Sequence, residues 1–186
     1  VTAAAITAAS ITQLAGTGTS TFAGAIDTNA VAGFDFTGAA ITISAPVTTT
    51  AGGPVNITNA GLLTITAAGD MVLDGLFLQD GAGLVSTAGD ITTTADAITF
   101  TTATTLTGAV ALSTGAGAGD ITFLGTLNGT VAGAQTLGLT AGTGSIVFTG
   151  AVGGVTRLGA LTITSATDVT AAAITAASIT QLAGTG

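Results

Sequence analysis

The chain has 186 residues, with 29 Gly, 47% hydrophobic and only 5% charged residues; its nine acidic residues are all Asp, its one basic residue is Arg157, and its formal net charge is −8. A lone cation cannot neutralise a phosphate backbone, which excludes nucleic acid as a partner; without His, Cys, Lys or Glu there is no ordinary triad, no usual zinc site and no disulfide framework. No stretch long enough to cross a bilayer is continuously apolar, so no transmembrane helix is expected, and a chain with no Trp, no Tyr and seven Phe lacks the aromatic girdles of an outer-membrane barrel.

Residues 1–18, VTAAAITAASITQLAGTG, return letter for letter at 169–186. The chain therefore reads as one complete tandem unit, 1–168, followed by the start of the next, 169–186, within a longer array. The join has no Pro-rich break or charge run, so it should be a rung like any other. In it Ile174, Ile179 and Leu182 would repeat core roles of Ile6, Ile11 and Leu14. The abundance of Thr, Val and Ile, stiff at χ1, favours pleated sheet over helix throughout.

From residue 22 a shorter rhythm begins: a hydrophobe, any residue, Gly, any residue, then an apolar residue. It occurs at FAGAI (22–26), FTGAA (36–40), LDGLF (73–77), LTGAV (106–110), FLGTL (123–127) and FTGAV (148–152). A second mark, a turn running into a strand, occurs at AAGDMVL (67–73), TAGDITT (87–93), GAGDITF (117–123) and GTGSIVF (142–148), with its glycines at 69, 89, 119 and 144. Irregular steps of this size, roughly 20 to 30 residues, predict stacked coils whose strands keep register while their loops vary in length. At roughly 21 residues per coil the unit makes about eight rungs, and at about 4.8 Å per rung it rises on the order of 40 Å.

SAPVTTTAGGPVNI (44–57) carries both prolines, Pro46 and Pro54, and reads as a turn or loop leaving the ladder, since Pro cannot donate to a central strand. Asp70, Asp74 and Asp80 form the densest acidic group and read as turn and cap positions that accept backbone N–H bonds, ahead of a catalytic or calcium cluster. Phe100, Phe123 and Phe148 end ITF, ITF and IVF one coil apart, and the counterpart of Phe22 in the next unit would follow two coils further on; this predicts an internal aromatic ladder. GAGAGD (115–120) and Asn128-Gly129 read as turns. The pairs Thr48/Thr50, Thr64/Thr66, Thr92/Thr94, Thr102/Thr104 and Thr162/Thr164 put hydroxyls on one side of a strand and could stack into a flat array.

The strings GDITFLGTLNG, GSIVFTGAVGG and LGALTITSATDVT resemble the repeats of very large bacterial extracellular proteins of the filamentous haemagglutinin type. The resemblance covers essentially the whole chain as a style of repeat. It implies a right-handed parallel β-helix and an extracellular, structural or adhesive role, and it carries over no catalytic residues.

The expectation is thus an all-β, right-handed parallel β-solenoid serving as a shaft segment of an extracellular or cell-surface filament or giant adhesin. It is read as no enzyme, with no catalytic, cofactor-binding or metal residues and no cofactor. The partner expected first is the chain itself, end to end and side by side; a host or neighbour-cell surface or glycan is the second. Three alternatives use the same architecture: a surface binder working through Thr ranks on ice or glycan, a carbohydrate-active enzyme, which would need several carboxylates in one cleft, and a passive spacer that displays a binding tip.

Overall fold

In the computed structural model, which describes residues 1–184, the chain is all β: 24 short strands and, among the described residues, no helix. Positions 185 and 186, the end of the second copy of the repeated segment, lie outside the described residues. Every pairing between successive coils is parallel, and three sheets of seven, nine and eight strands run the length of the molecule. This is the expected right-handed parallel β-solenoid of about eight turns. Each of the first seven turns contributes one strand to the first sheet, one to the second and one to the third; the fourth turn, for example, supplies Leu63–Ile65, Met71–Leu73 and Phe77–Gln79.

Strict alternation explains why such short strands suffice. In Leu63–Ile65 the outer two residues are buried and Thr64 faces out, and the same in–out–in pattern repeats in most strands. Each inward residue stacks on its counterpart one turn away, as Ile41, Leu63 and Val85 do in the first sheet. Burial is therefore cumulative along the axis, and no single turn needs a globular centre. The backbone ladder continues through the corners: Ile26 N donates to Pro46 O at 2.9 Å and Phe34 N donates to Pro54 O at 2.9 Å.

Those two bonds correct the reading of 44–57 as a loop leaving the ladder. Val47–Thr49 and Val55–Asn59 are strands of the second and third sheets. Pro46 and Pro54 stand at the corner just before each strand, where the missing N–H is not needed and the carbonyl still accepts from the turn below. Asn128-Gly129 is corrected likewise: Leu127–Gly129 is a strand, and Asn128 Oδ1 accepts from Val155 N at 2.9 Å. The turn lies beyond it, where Gly133 has φ +80°. GAGAGD is a turn as read, with Gly115 at φ +73°.

The marks that set the rhythm have a steric cause. At Gly144 an added Cβ would lie 2.2 Å from Gly119 O, and at Gly150 2.4 Å from Gly125 O. These glycines occupy corners where one turn's backbone rests directly on the next, leaving no room for a side chain. The Asp after the corner braces the same joint: Asp70 Oδ1 accepts from Asp90 N (2.8 Å), Asp90 Oδ1 from Ala111 N (2.7 Å) and Asp120 Oδ1 from Ser145 N (2.7 Å). Asp74 Oδ2 accepts from Gly52 N (2.8 Å), so Asp70 and Asp74 both act as caps, as read.

The second sheet also contains a matched pair of buried threonines in one column, Thr28 and Thr49. Thr49 Oγ1 donates to Gly53 O and accepts from Asp74 N at 3.1 Å; Thr28 Oγ1 is buried with no hydrogen-bond partner. Substitution by Val should therefore act in opposite directions. Thr28→Val is expected to stabilise by about 1 kcal/mol, and Thr49→Val to destabilise by about 1–3 kcal/mol, because only the second leaves buried groups unpaired. Urea titration of the two variants checks the sign; equal losses from both would contradict the assignment.

Candidate functional site

The features that could act on something outside the chain are the two ends and the outward columns of the sheets. At the first end, Thr2–Ala3, Ile6–Ala8 and Ile11–Gln13 pair on one side only, each with the next turn. At the other, Val169–Ala171 and Ala176–Gln181 pair only with the turn before. Ala3, Ile6, Ile11, Val169, Ile174 and Ala176 pack on the core from these ends while staying only partly buried. Half-covered apolar residues and unpaired strand edges make each end a template for a further turn.

Ile174 and Ile179 oppose the core residues Val152 and Leu161, as Ile6 and Ile11 oppose Ile26 and Phe34, but Ile179, in the last strand, is 54% exposed and does not take the core role expected of it. The expectation for leucine is corrected: Leu14 and Leu182 are 79% and 67% exposed, because both fall just past a strand, on the outer side of the chain.

The aromatic ladder has the expected members and one more. Phe100 and Phe123 stack with centroids 5.1 Å apart and planes 7° apart, Phe123 and Phe148 at 5.5 Å and 12°, and Phe77 joins below Phe100 at 5.1 Å in a tilted arrangement. All four are fully buried in the third sheet, so their role is packing. Beneath them lies a polar cluster that the sequence reading missed. Gln79 Nε2 donates to Asn59 Oδ1 (2.8 Å), Gln79 Oε1 accepts from Thr101 N (3.1 Å) and Thr102 Oγ1 (3.2 Å), and Asn59 Nδ2 donates to Gly61 O (2.7 Å). It satisfies the backbone at a corner from within.

The outer surface also differs from the expected Thr array. Thr48, Thr92 and Thr162 belong to the second sheet, Thr64 to the first, and Thr102 and Thr104 turn toward the interior cluster and core, so the T-x-T pairs share no single face. A different rank does form. Thr2, Thr21, Thr42, Thr64, Ser86 and Thr105 pair in unbroken register down the centre of the first sheet, each between inward neighbours. Adjacent hydroxyls are spaced by the strand separation, about 4.8 Å. The signal in the sequence is a single Thr or Ser per coil, invisible to a search for pairs within a strand. The equivalent columns on the other sheets are interrupted by Asp27 and Val72 or by Asp35 and Leu78.

The nine carboxylates do not gather into a site: among the described residues there is no group of three or more His, Cys, Asp or Glu that could hold a metal ion. Among known proteins, no family model, no curated protein and no solved structure matches the chain.

Proposed function

We propose that this chain is a shaft segment of a long extracellular bacterial filament or giant adhesin, built of tandem units along one axis. The observation that carries the reading is the continuity of the ladder: successive turns pair in parallel from the first copy of the repeated segment to the second, with no break between them. Low charge and a Thr-, Ala- and Gly-rich surface support an exposed mechanical element that can lie beside its neighbours.

Electron microscopy of a chain carrying several tandem units tests the reading. Unbranched rods whose length grows in proportion to unit number are expected; compact particles would overturn it. Location is tested separately, by antibody labelling of intact cells that carry the full-length protein, where surface labelling is expected and labelling only after lysis would overturn that part.

The hydroxyl rank on the first sheet favours a second reading, in which the shaft binds a repeating surface such as ice or a glycan. Its hydroxyls make no hydrogen bond within the described chain and are free to meet such a surface. Ice-recrystallisation and glycan-retention assays should then lose their signal in Thr42→Lys/Thr64→Lys. Absence of any signal from the unaltered chain would remove this reading.

A further inference from the structure

The two copies of the repeated segment fold against equivalent neighbours but on different faces. In the first copy Ala3 opposes Phe22 in the first sheet, Ile6 opposes Ile26 in the second, and Ile11 and Gln13 oppose Phe34 and Phe36 in the third. In the second copy Ala171 opposes Phe148 in the third sheet, Ile174 opposes Val152 in line with the first, and Ile179 and Gln181 oppose Leu161 and Ile163 in the second. The same four positions are in register with buried residues both times, and each has moved back by one face.

The second sheet widens as the chain approaches the second copy. Its strands grow from three residues in Ile91–Thr93 to four in Val110–Ser113 and Leu137–Thr140 and to eight in Leu158–Ser165. Ala176 opposes Leu158 at the early end of that long strand, and the segment runs straight through to Gln181 where the first copy turns between Ala8 and Ile11. Inward positions filled by Ala, Ile and one Gln place no bulky demand on either arrangement.

We infer that the repeat unit spans seven turns and two faces, so that successive units in an array are rotated by one face, a third of a turn, and three units make one structural period. The inference rests on the tandem-array reading above. An independent feature of the sequence agrees with it. Ala3 lies beneath Phe22 in the first sheet, so a one-face shift puts the next Phe22 counterpart above Ala171 in the third sheet, in the column of Phe100, Phe123 and Phe148. The aromatic column then crosses the seam with one Ala between rings.

The rotation has a consequence for assembly. A hydroxyl rank confined to one side of an endless shaft would be a continuous flat face, open to indefinite side-by-side packing. Rotated one face per unit, the rank winds round the shaft and meets a straight neighbour only once in three units. At about 4.8 Å per turn that contact recurs about every 110 Å, and each unit rises about 37 Å.

The chain has no Cys, so paired cysteines can carry nitroxide labels without background. In the chain as it stands, Thr162→Cys/Thr180→Cys should show strong dipolar broadening, because Thr162 and Thr180 are in-register neighbours on adjacent strands. Val147→Cys/Thr180→Cys should show none, since Val147 lies in the third sheet beside Thr170. Broadening in the second pair and not the first would overturn the one-face shift. In a chain of three tandem units, gold on Thr42→Cys in every unit should mark three azimuths round the rod. Rods with all labels along one side would overturn the rotation and leave the shaft reading standing; particles that form no rod would overturn both.

Discussion

Replacing Phe123 by Ala is expected to cost about 3–5 kcal/mol, the range for truncating a buried aromatic side chain. Phe123 has a ring on either side, Phe100 at 5.1 Å and Phe148 at 5.5 Å, and is 1% exposed. Its removal takes away two stacking contacts as well as the transfer energy, and the flanking rings cannot close the gap, because the backbone ladder fixes their axial spacing. The loss should be local in origin and long in reach. In a structure where each turn touches only its neighbours, a weak sixth turn uncouples the turns on either side. Hydrogen exchange should therefore show lowered protection centred on Ile121–Phe123 and spreading toward the nearer end, at residues 169–184, before it reaches the first four turns. A uniform fall in protection along the chain would contradict this. Phe22→Ala, at the rim of the core, is the comparison expected to cost less.

The second large effect comes from adding atoms. Gly144→Val is expected to destabilise by about 3 kcal/mol or more, because the new Cβ would lie 2.2 Å from Gly119 O, and a backbone carbonyl held in a ladder cannot move aside as a flexible side chain can. Gly18→Val is the control: no atom comes within 4 Å of its added Cβ, and a change within about 0.5 kcal/mol is expected. Thermal or urea unfolding of the two variants gives the comparison. Equal effects would show that the glycines are there for flexibility and not for clearance.

Much of this architecture is legible in the sequence because a solenoid writes itself one turn at a time. The Gly-Asp marks and the Phe spacing report the turn length directly, since corner glycines and stacked rings must recur wherever the backbone recurs. Loop and strand are confused where residue preference and position disagree. Pro46 and Pro54 look like breaks, yet a corner tolerates them; Asn128-Gly129 looks like a hairpin turn, yet a parallel fold has no hairpins to make.

The outward rank and the interior Gln79–Asn59 cluster escape a sequence reading for another reason. Both depend on which residues of different turns share a column. With turns of unequal length, a misplacement by a single position moves a side chain from one face of the strand to the other. The change of face between the two copies of the repeated segment lies beyond the sequence altogether, because identical letters carry no record of the corner at which they fall.

Whether the repeated unit is a length of shaft is decided by small-angle scattering from chains of one, two and three tandem units. A constant cross-sectional radius is expected, with a length that grows by about 37 Å with each added unit, from about 4.8 Å per turn. Growth of the cross-section with unit number, or a length that stays constant while mass increases, would contradict it.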